Sequence, residues 1–177
     1  MPRLFIGLEV PETIATRLSL LRGGLPGARW ADPSDYHLTI RFIGDIDRRL
    51  ANEIDEEMAD LYAEPIRVRI TGLGVFGGDK PHTLYAGIEP NKQLVGLQAD
   101  SERRLRRLGL APEQRKFVPH VTLARLRGAS TLDLADYLQA YGHLIGVEFV
   151  AEHFALFSAR DMVGGGPYIV EAAYPLH

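Results

Sequence analysis

The spacing of apolar residues divides the chain into short alternating and helical stretches. Leu4-Phe5-Ile6 with Leu8 and Val10 is an apolar run suited to a buried strand over 3–10 and too short to span a membrane. Ile14, Leu18 and Leu21 recur at helical spacing after Pro11, whose missing N–H suits a first helical turn, and Gly23-Gly24 ends the pattern. Pro26-Gly27 and Asp32-Pro33-Ser34-Asp35 punctuate a loop. A strand is expected over 38–44. Asp47 then caps a helix to about Tyr62, with Leu50, Ile54, Met58 and Leu61 as its apolar stripe. Ile66, Val68 and Ile70 alternate with Arg67, Arg69 and Thr71, the pattern of a half-exposed strand.

From residue 84 the same order returns. Leu84-Tyr85-Ala86-Gly87-Ile88 reads as a strand, and Asn91 caps a helix carrying Leu94, Leu97, Leu105 and Leu108 that Gly109 ends. A strand is expected over 120–126. Ser130 or Thr131 caps a short helix with Leu134 and Leu138, ending near Gly142. Residues 147–157 have strand character, and a last strand over 168–174 follows the loop Gly164-Gly165-Gly166-Pro167. Strand, helix, strand, helix, strand therefore occurs twice, with an offset of roughly 80–85 residues, too long for a solenoid. The expected fold is α+β: one two-lobed domain over 1–177, with halves at about 3–76 and 83–158 and a final strand at 167–174. Mainly antiparallel sheets would surround a central cleft, with helices outside.

Composition narrows the chemistry. A length of 177 residues, 46% hydrophobic and 24% charged, suits one ordinary globular core. The absence of cysteine removes disulfides, thiolate nucleophiles and cysteine metal sites. Pro11-Glu12 follows the first apolar run where a leader would carry small residues, so a cytoplasmic address is expected. A net charge of −3 gives no overall positive field for long nucleic acid, which leaves a small anionic substrate or an RNA end. Gly72-Leu73-Gly74-Val75-Phe76-Gly77 fits the dinucleotide-binding pattern, but Gly78-Asp79-Lys80-Pro81 cannot open the helix that would receive a pyrophosphate. No two histidines have metal-ligand spacing within one element, so no metal is expected.

The informative residues are His37-Leu38-Thr39 and His120-Val121-Thr122, 83 positions apart at matching places in the two halves. In a strand, residues i and i+2 share a face, so each motif offers an imidazole and a hydroxyl to one space while Leu38 or Val121 anchors the other face. Two such strands across a cleft suit phosphoryl chemistry. One neutral imidazole takes a proton, one imidazolium gives a proton, and hydroxyls donate to phosphate oxygens. A guanidinium would complete the set. Strand parity favours Arg41, at i+4 from His37. Arg125, at i+5 from His120, faces away unless a bulge re-aims it. His82 precedes its threonine directly, which separates the two side chains and makes it a surface-loop histidine. His143, His153 and His177 have no partner pattern. Arg103, Arg104, Arg106 and Arg107 form a basic helix face, read as solvated beside the leucine stripe, with contact to RNA phosphates as the alternative. Tyr168 and Phe76 are read as rim packing, with base stacking as the alternative.

Together with Arg3-Leu4-Phe5-Ile6-Gly7-Leu8, His37-Leu38-Thr39-Ile40-Arg41-Phe42-Ile43-Gly44 and Pro119-His120-Val121-Thr122-Leu123-Ala124-Arg125, the chain resembles the two-histidine phosphoesterase superfamily. More narrowly, it resembles the RNA 2′,3′-cyclic phosphodiesterase branch, historically called LigT-like 2′-5′ RNA ligase. The resemblance runs from Arg3 to the final strand. It implies a bilobal α+β fold, no cofactor, and opening of RNA 2′,3′-cyclic phosphate ends to 2′-phosphates, with an ATP-independent 2′-5′ joining activity. It implies His37 as proton donor and His120 as proton acceptor, and its pattern favours Arg125 where strand parity favours Arg41, so Thr39, Thr122, Arg41 and Arg125 are all expected on the phosphate. The expected partners are RNA or oligonucleotide 3′ ends carrying a cyclic phosphate, with no membrane and a monomeric enzyme. Two other readings stay open: a non-hydrolytic RNA-end or nucleotide-binding module, and a phosphodiesterase for a small substrate such as ADP-ribose 1″,2″-cyclic phosphate.

Overall fold

The computed structural model describes residues 3–144, 146–159 and 167–177. In chain order these form β1 (Arg3–Glu9), α1 (Glu12–Ser19), β2 (Ala28–Trp30), a 3-10 turn (Pro33–Asp35), β3 (His37–Asp45), α2 (Arg48–Asp60) and β4 (Ile66–Phe76). There follow β5 (Thr83–Ile88), α3 (Lys92–Arg107), β6 (His120–Leu126), α4 (Thr131–Tyr141), β7 (Glu148–Ala151), β8 (His153–Ala159) and β9 (Tyr168–Pro175). The fold is α+β, as the alternation of patterns predicts. The helix starts follow from side-chain capping: Asp47 accepts from the Leu50 N–H, Asn91 from Leu94 and Ser130, not Thr131, from Asp133. The segment expected as one strand over 147–157 is two strands, broken at Glu152. Residues 26–35, expected as loop, contain β2 and the 3-10 turn. Gly164, Gly165 and Gly166 of the expected loop lie outside the described residues.

All strand pairs are antiparallel, in the order β7-β4-β5-β6-β3-β1-β8-β9, with β2 on β6. This order is two four-stranded halves joined at the centre by a single residue pair, Leu38 with Val121. The lobes are not the two sequence repeats. β4 closes the first repeat but pairs with β5 of the second, and β8 closes the second repeat but pairs with β1 of the first. The repeats thus exchange their last strands, which ties the lobes together through the backbone. Leu38, Ile40, Val121 and Leu123 face one principal core, with Ile6, Leu8, Leu18, Ile54, Met58, Leu94, Leu97 and Leu105. The other face of β3 and β6 carries His37, Thr39, His120 and Thr122.

Both central strands carry a bulge at the same place. In β1–β3 pairing, Ile6 opposes Arg41 and Gly7 opposes Thr39, so Ile40 is the extra residue. In β5–β6 pairing, Leu84 opposes Ala124 and Tyr85 opposes Thr122, so Leu123 is extra. One inserted residue reverses strand parity. Residue i+4 from each histidine (Arg41, Ala124) therefore turns into the core, and residue i+5 (Phe42, Arg125) turns to the histidine face. The expectation that Arg41 binds phosphate is thereby corrected. Its side chain is 7% exposed. Its guanidinium donates to Glu102 Oε2 at 2.5 Å, to the Phe42 carbonyl at 2.5 Å and to the Ala111 carbonyl at 2.6 Å. Glu102 Oε1 also accepts the Glu113 N–H at 3.0 Å. Arg41 and Glu102 thus fasten β3 to α3 and to the segment leading toward His120.

Removing one member of so buried a pair strands the other charge, at a cost of about 3 kcal/mol. Arg41→Met should lower the stability measured by urea unfolding by roughly that amount, and the double variant Arg41→Met, Glu102→Leu should recover much of it. Partial burial opposes ionisation of Glu102, but the bonds from Arg41 and Glu113 hold its carboxyl below 4.5. Its contribution is therefore complete above pH 4.5 and should fade as pH falls through the depressed value. A loss well under 1 kcal/mol in Arg41→Met would show that the pair is not structural.

Candidate active site

β3 and β6 run antiparallel through the Leu38–Val121 pair, which sets His37 beside Thr122 and Thr39 beside His120 on the face away from the principal core. Each imidazole is fixed by the same device. His37 Nδ1–H donates to the Asp35 carbonyl at 2.8 Å, and His120 Nδ1–H donates to the Val118 carbonyl at 2.6 Å. A carbonyl only accepts, so both neutral rings carry their proton on Nδ1 and present Nε2 as a base. The Thr39 hydroxyl donates to His37 Nε2 at 3.0 Å. Burial pushes the pKa of His37 below 6.5. Its Asp35 bond opposes that, and the charges of His120 and Arg125 add to the lowering. His120 is lowered chiefly by burial, against its Val118 bond, with Arg125 adding to the effect.

The bulge brings Arg125 to this face, where its charge reaches both histidines and Tyr168. Its Nη1 donates at 3.1 Å to the hydroxyl of Thr83, which is 2% exposed. The Thr83 hydroxyl can in turn donate to His82 Nδ1 at 2.8 Å. The exposed loop histidine is therefore joined to the site through Thr83, a link that sequence parity did not show.

An aromatic cage holds each ring. His37 lies 4.7 Å from Phe5, 5.9 Å from Phe157 and 4.8 Å edge-on from Tyr168, ring centre to ring centre. His120 stands edge-on to Phe76 at 4.9 Å and to Tyr85 at 5.4 Å. Edge-on contacts at these distances are favourable and fix ring orientation. Asp35 serves twice, its carbonyl on His37 and its carboxylate accepting the Tyr168 N–H at 3.2 Å. Phe5, Tyr85, Phe157, Thr83 and Asp35 were not singled out from the sequence. Only their positions opposite or beside the motif strands could have marked them.

Other sequence expectations fall outside this face. Gly72 and Gly74 lie inside β4, and a Cβ on Gly74 would stand 2.5 Å from the Tyr85 ring, so this glycine makes room for the cage. Arg104 bonds Glu57 and Asp60 of α2, Arg103 pairs with Asp100, and Arg107 lies 3.9 Å from Glu57. The basic helix face is thus largely tied to carboxylates. A recess of about 290 Å³ beside Arg41, Leu110 and Pro112 contains neither histidine. Among the described residues, no three His, Cys, Asp or Glu side chains could together hold a metal ion, and no helix is long and apolar enough to cross a membrane.

Comparison with known proteins identifies the family and the fold. The family model described as LigT like Phosphoesterase matches residues 8–85 and 87–168. An Aquifex aeolicus protein named RNA 2′,3′-cyclic phosphodiesterase is 30% identical over 97% of this chain and 96% of its own. An Aeropyrum pernix protein of the same name is 36% identical over 66% of each chain. The crystal structure of E. coli LigT complexed with 3′-AMP superposes with a TM-score of 0.83 at 20% identity, covering 99% of both chains, a likeness of fold.

The tautomers and their direction of shift are open to measurement. ¹⁵N NMR of the imidazoles should show Nδ1 protonated in both neutral rings and both midpoints below 6.5. Thr39→Val should alter the His37 Nε2 signal alone.

Proposed function

The chain belongs to the LigT-like phosphoesterase family, and on that premise we propose that it is an RNA 2′,3′-cyclic phosphodiesterase using His37 and His120 as its acid–base pair. The observation that carries the reading is the pair of Nε2 atoms presented from one rung of antiparallel strand, each with its tautomer set by a backbone carbonyl. The cyclic phosphate lies between the two rings. His120 Nε2 takes a proton from a water placed opposite the bond from phosphorus to O3′. The water oxygen bonds to phosphorus, the bond to O3′ breaks, and His37, as imidazolium, protonates O3′ through Nε2. The product is a 2′-phosphate. Thr39, Thr122 and Arg125 donate to the non-bridging oxygens, where charge gathers. A 5′-hydroxyl in place of the water gives a 2′-5′ linkage by the same step, which accounts for the joining activity implied by the resemblance.

The free site disfavours a charged imidazole, because burial and Arg125 both oppose it. A bound phosphodiester anion offsets Arg125 and raises the pKa of the ring that must act as acid. The site therefore becomes competent as substrate enters.

Three outcomes are expected. His37→Ala and His120→Ala each lose about 10³-fold or more in kcat on a 2′,3′-cyclic-ended oligonucleotide, and the wild-type product is the 2′-phosphate isomer. On a substrate with sulfur at the 3′ position, whose thiolate leaves without a proton, His37→Ala recovers most of its rate and His120→Ala does not. If the recovery follows His120→Ala instead, the two roles are exchanged. The profile of kcat/KM against pH, which reports the free enzyme, peaks on the acid side of 6.5, and that of kcat lies to its alkaline side.

A further inference from the structure

β2 supplies a second cation that the proposed reaction does not use. In the β2–β6 pairing, Ala28 opposes Leu126, Arg29 opposes Arg125, and Trp30 opposes Ala124. Leu126 and Ala124 are buried in the small core around α4, with Ala28 and Trp30 packed against it. By alternation, Arg29 and Arg125 both project from the opposite, histidine-bearing face. The hydrogen bonds from Ala31 N–H to Leu123 and from Arg127 N–H to Gly27 flank this pair symmetrically, which makes it a directly opposed pair about 5.5 Å apart at Cα.

Like charges directly opposite each other across two strands are destabilising. Among the described residues no carboxylate lies within 4.0 Å of either guanidinium. Arg125 is steadied from its other side by Thr83, whereas Arg29 is exposed and has no such anchor. The arrangement asks for an anion between the two side chains. It sits about one same-face step, roughly 7 Å, along β6 from Thr122. That distance is on the order of one ribose away from the reacting phosphate.

We propose that Arg29, sharing the Arg125 guanidinium with the cyclic phosphate, forms a subsite for the phosphate carried on the 5′-oxygen of the terminal ribose, one ribose away from the cyclic phosphate. This rests on the phosphodiesterase reading and deepens it. Two sources share the chemistry: the upstream phosphodiester of an oligonucleotide, and a terminal 5′-phosphate or pyrophosphate on a single nucleotide.

The test compares kcat/KM for three substrates: a nucleoside 2′,3′-cyclic phosphate, the same compound with a 5′-phosphate, and a dinucleotide with a cyclic end. Wild type should favour the dinucleotide over the plain nucleoside by tenfold or more. Arg29→Ala should bring that ratio toward one, and Arg29→Lys should restore part of it. The salt dependence of dinucleotide turnover should become shallower by about 0.7 in log–log slope in Arg29→Ala. Preference for the 5′-phosphate compound equal to that for the dinucleotide identifies any phosphate on O5′ as the ligand, and a dinucleotide-only preference identifies an RNA backbone. A ratio near one in wild type, or a wild-type ratio kept in Arg29→Ala, overturns the subsite alone. No turnover of any of the three overturns the phosphodiesterase reading and the subsite with it.

Discussion

The site depends on one backbone rung. Leu38 and Val121, the middle residues of the two His-x-Thr motifs, are the only Cα partners joining β3 to β6 among the described residues. Their side chains are fully buried, so the rung is fixed from the core side. Antiparallel geometry then sets both imidazoles and both hydroxyls on the other side, and neither strand can slip by one residue without turning its own imidazole and hydroxyl into the core. A single rung leaves the strands free to splay on either side of it, at the place where the motifs meet. The exchanged strands β4 and β8 and the buried Arg41–Glu102 pair keep that narrow junction from shearing.

The same economy governs protonation. A carbonyl two residues upstream of each histidine chooses its tautomer, and the burial that fixes the ring also lowers its pKa. In the proposed mechanism these lowered imidazoles beside a cationic Arg125 would receive an anion, whose arriving charge, rather than bulk pH, would convert one of them into an acid.

Much of this was legible in the chain. Caps at Asp47 and Asn91, the helical stripes, the repeated element order and the two motifs are local signals, and local signals survive folding. The errors have one cause: they concern pairing between distant segments. A bulge at Ile40 or Leu123 has no sequence mark, yet it reverses the parity by which Arg41 was favoured over Arg125. β2 is only three residues long and exists because β6 has a free edge there. The break at Glu152 and the strand exchange follow from which edges remain open, a property of the assembled sheet.

The two lobes are alike in pairing and unlike in content, and that difference can make a symmetric scaffold act asymmetrically. Register places Phe42 opposite Phe5 in one lobe where Arg125 opposes Thr83 in the other. Both walls are aromatic, with Phe5, Phe157 and Tyr168 around His37 and Phe76 and Tyr85 around His120, but the second also carries a guanidinium, Arg125 beside Thr83. Two histidines with matching backbone contacts meet different surroundings, and in the proposed reaction a phosphate between them would be drawn toward the cationic wall. Its approach would set the orientation of the ribose, and with it which imidazole faces the attacking water and which faces the leaving oxygen. The division between acid and base can then arise from residues five positions downstream of each histidine, at the two places that the paired bulges turn toward the substrate.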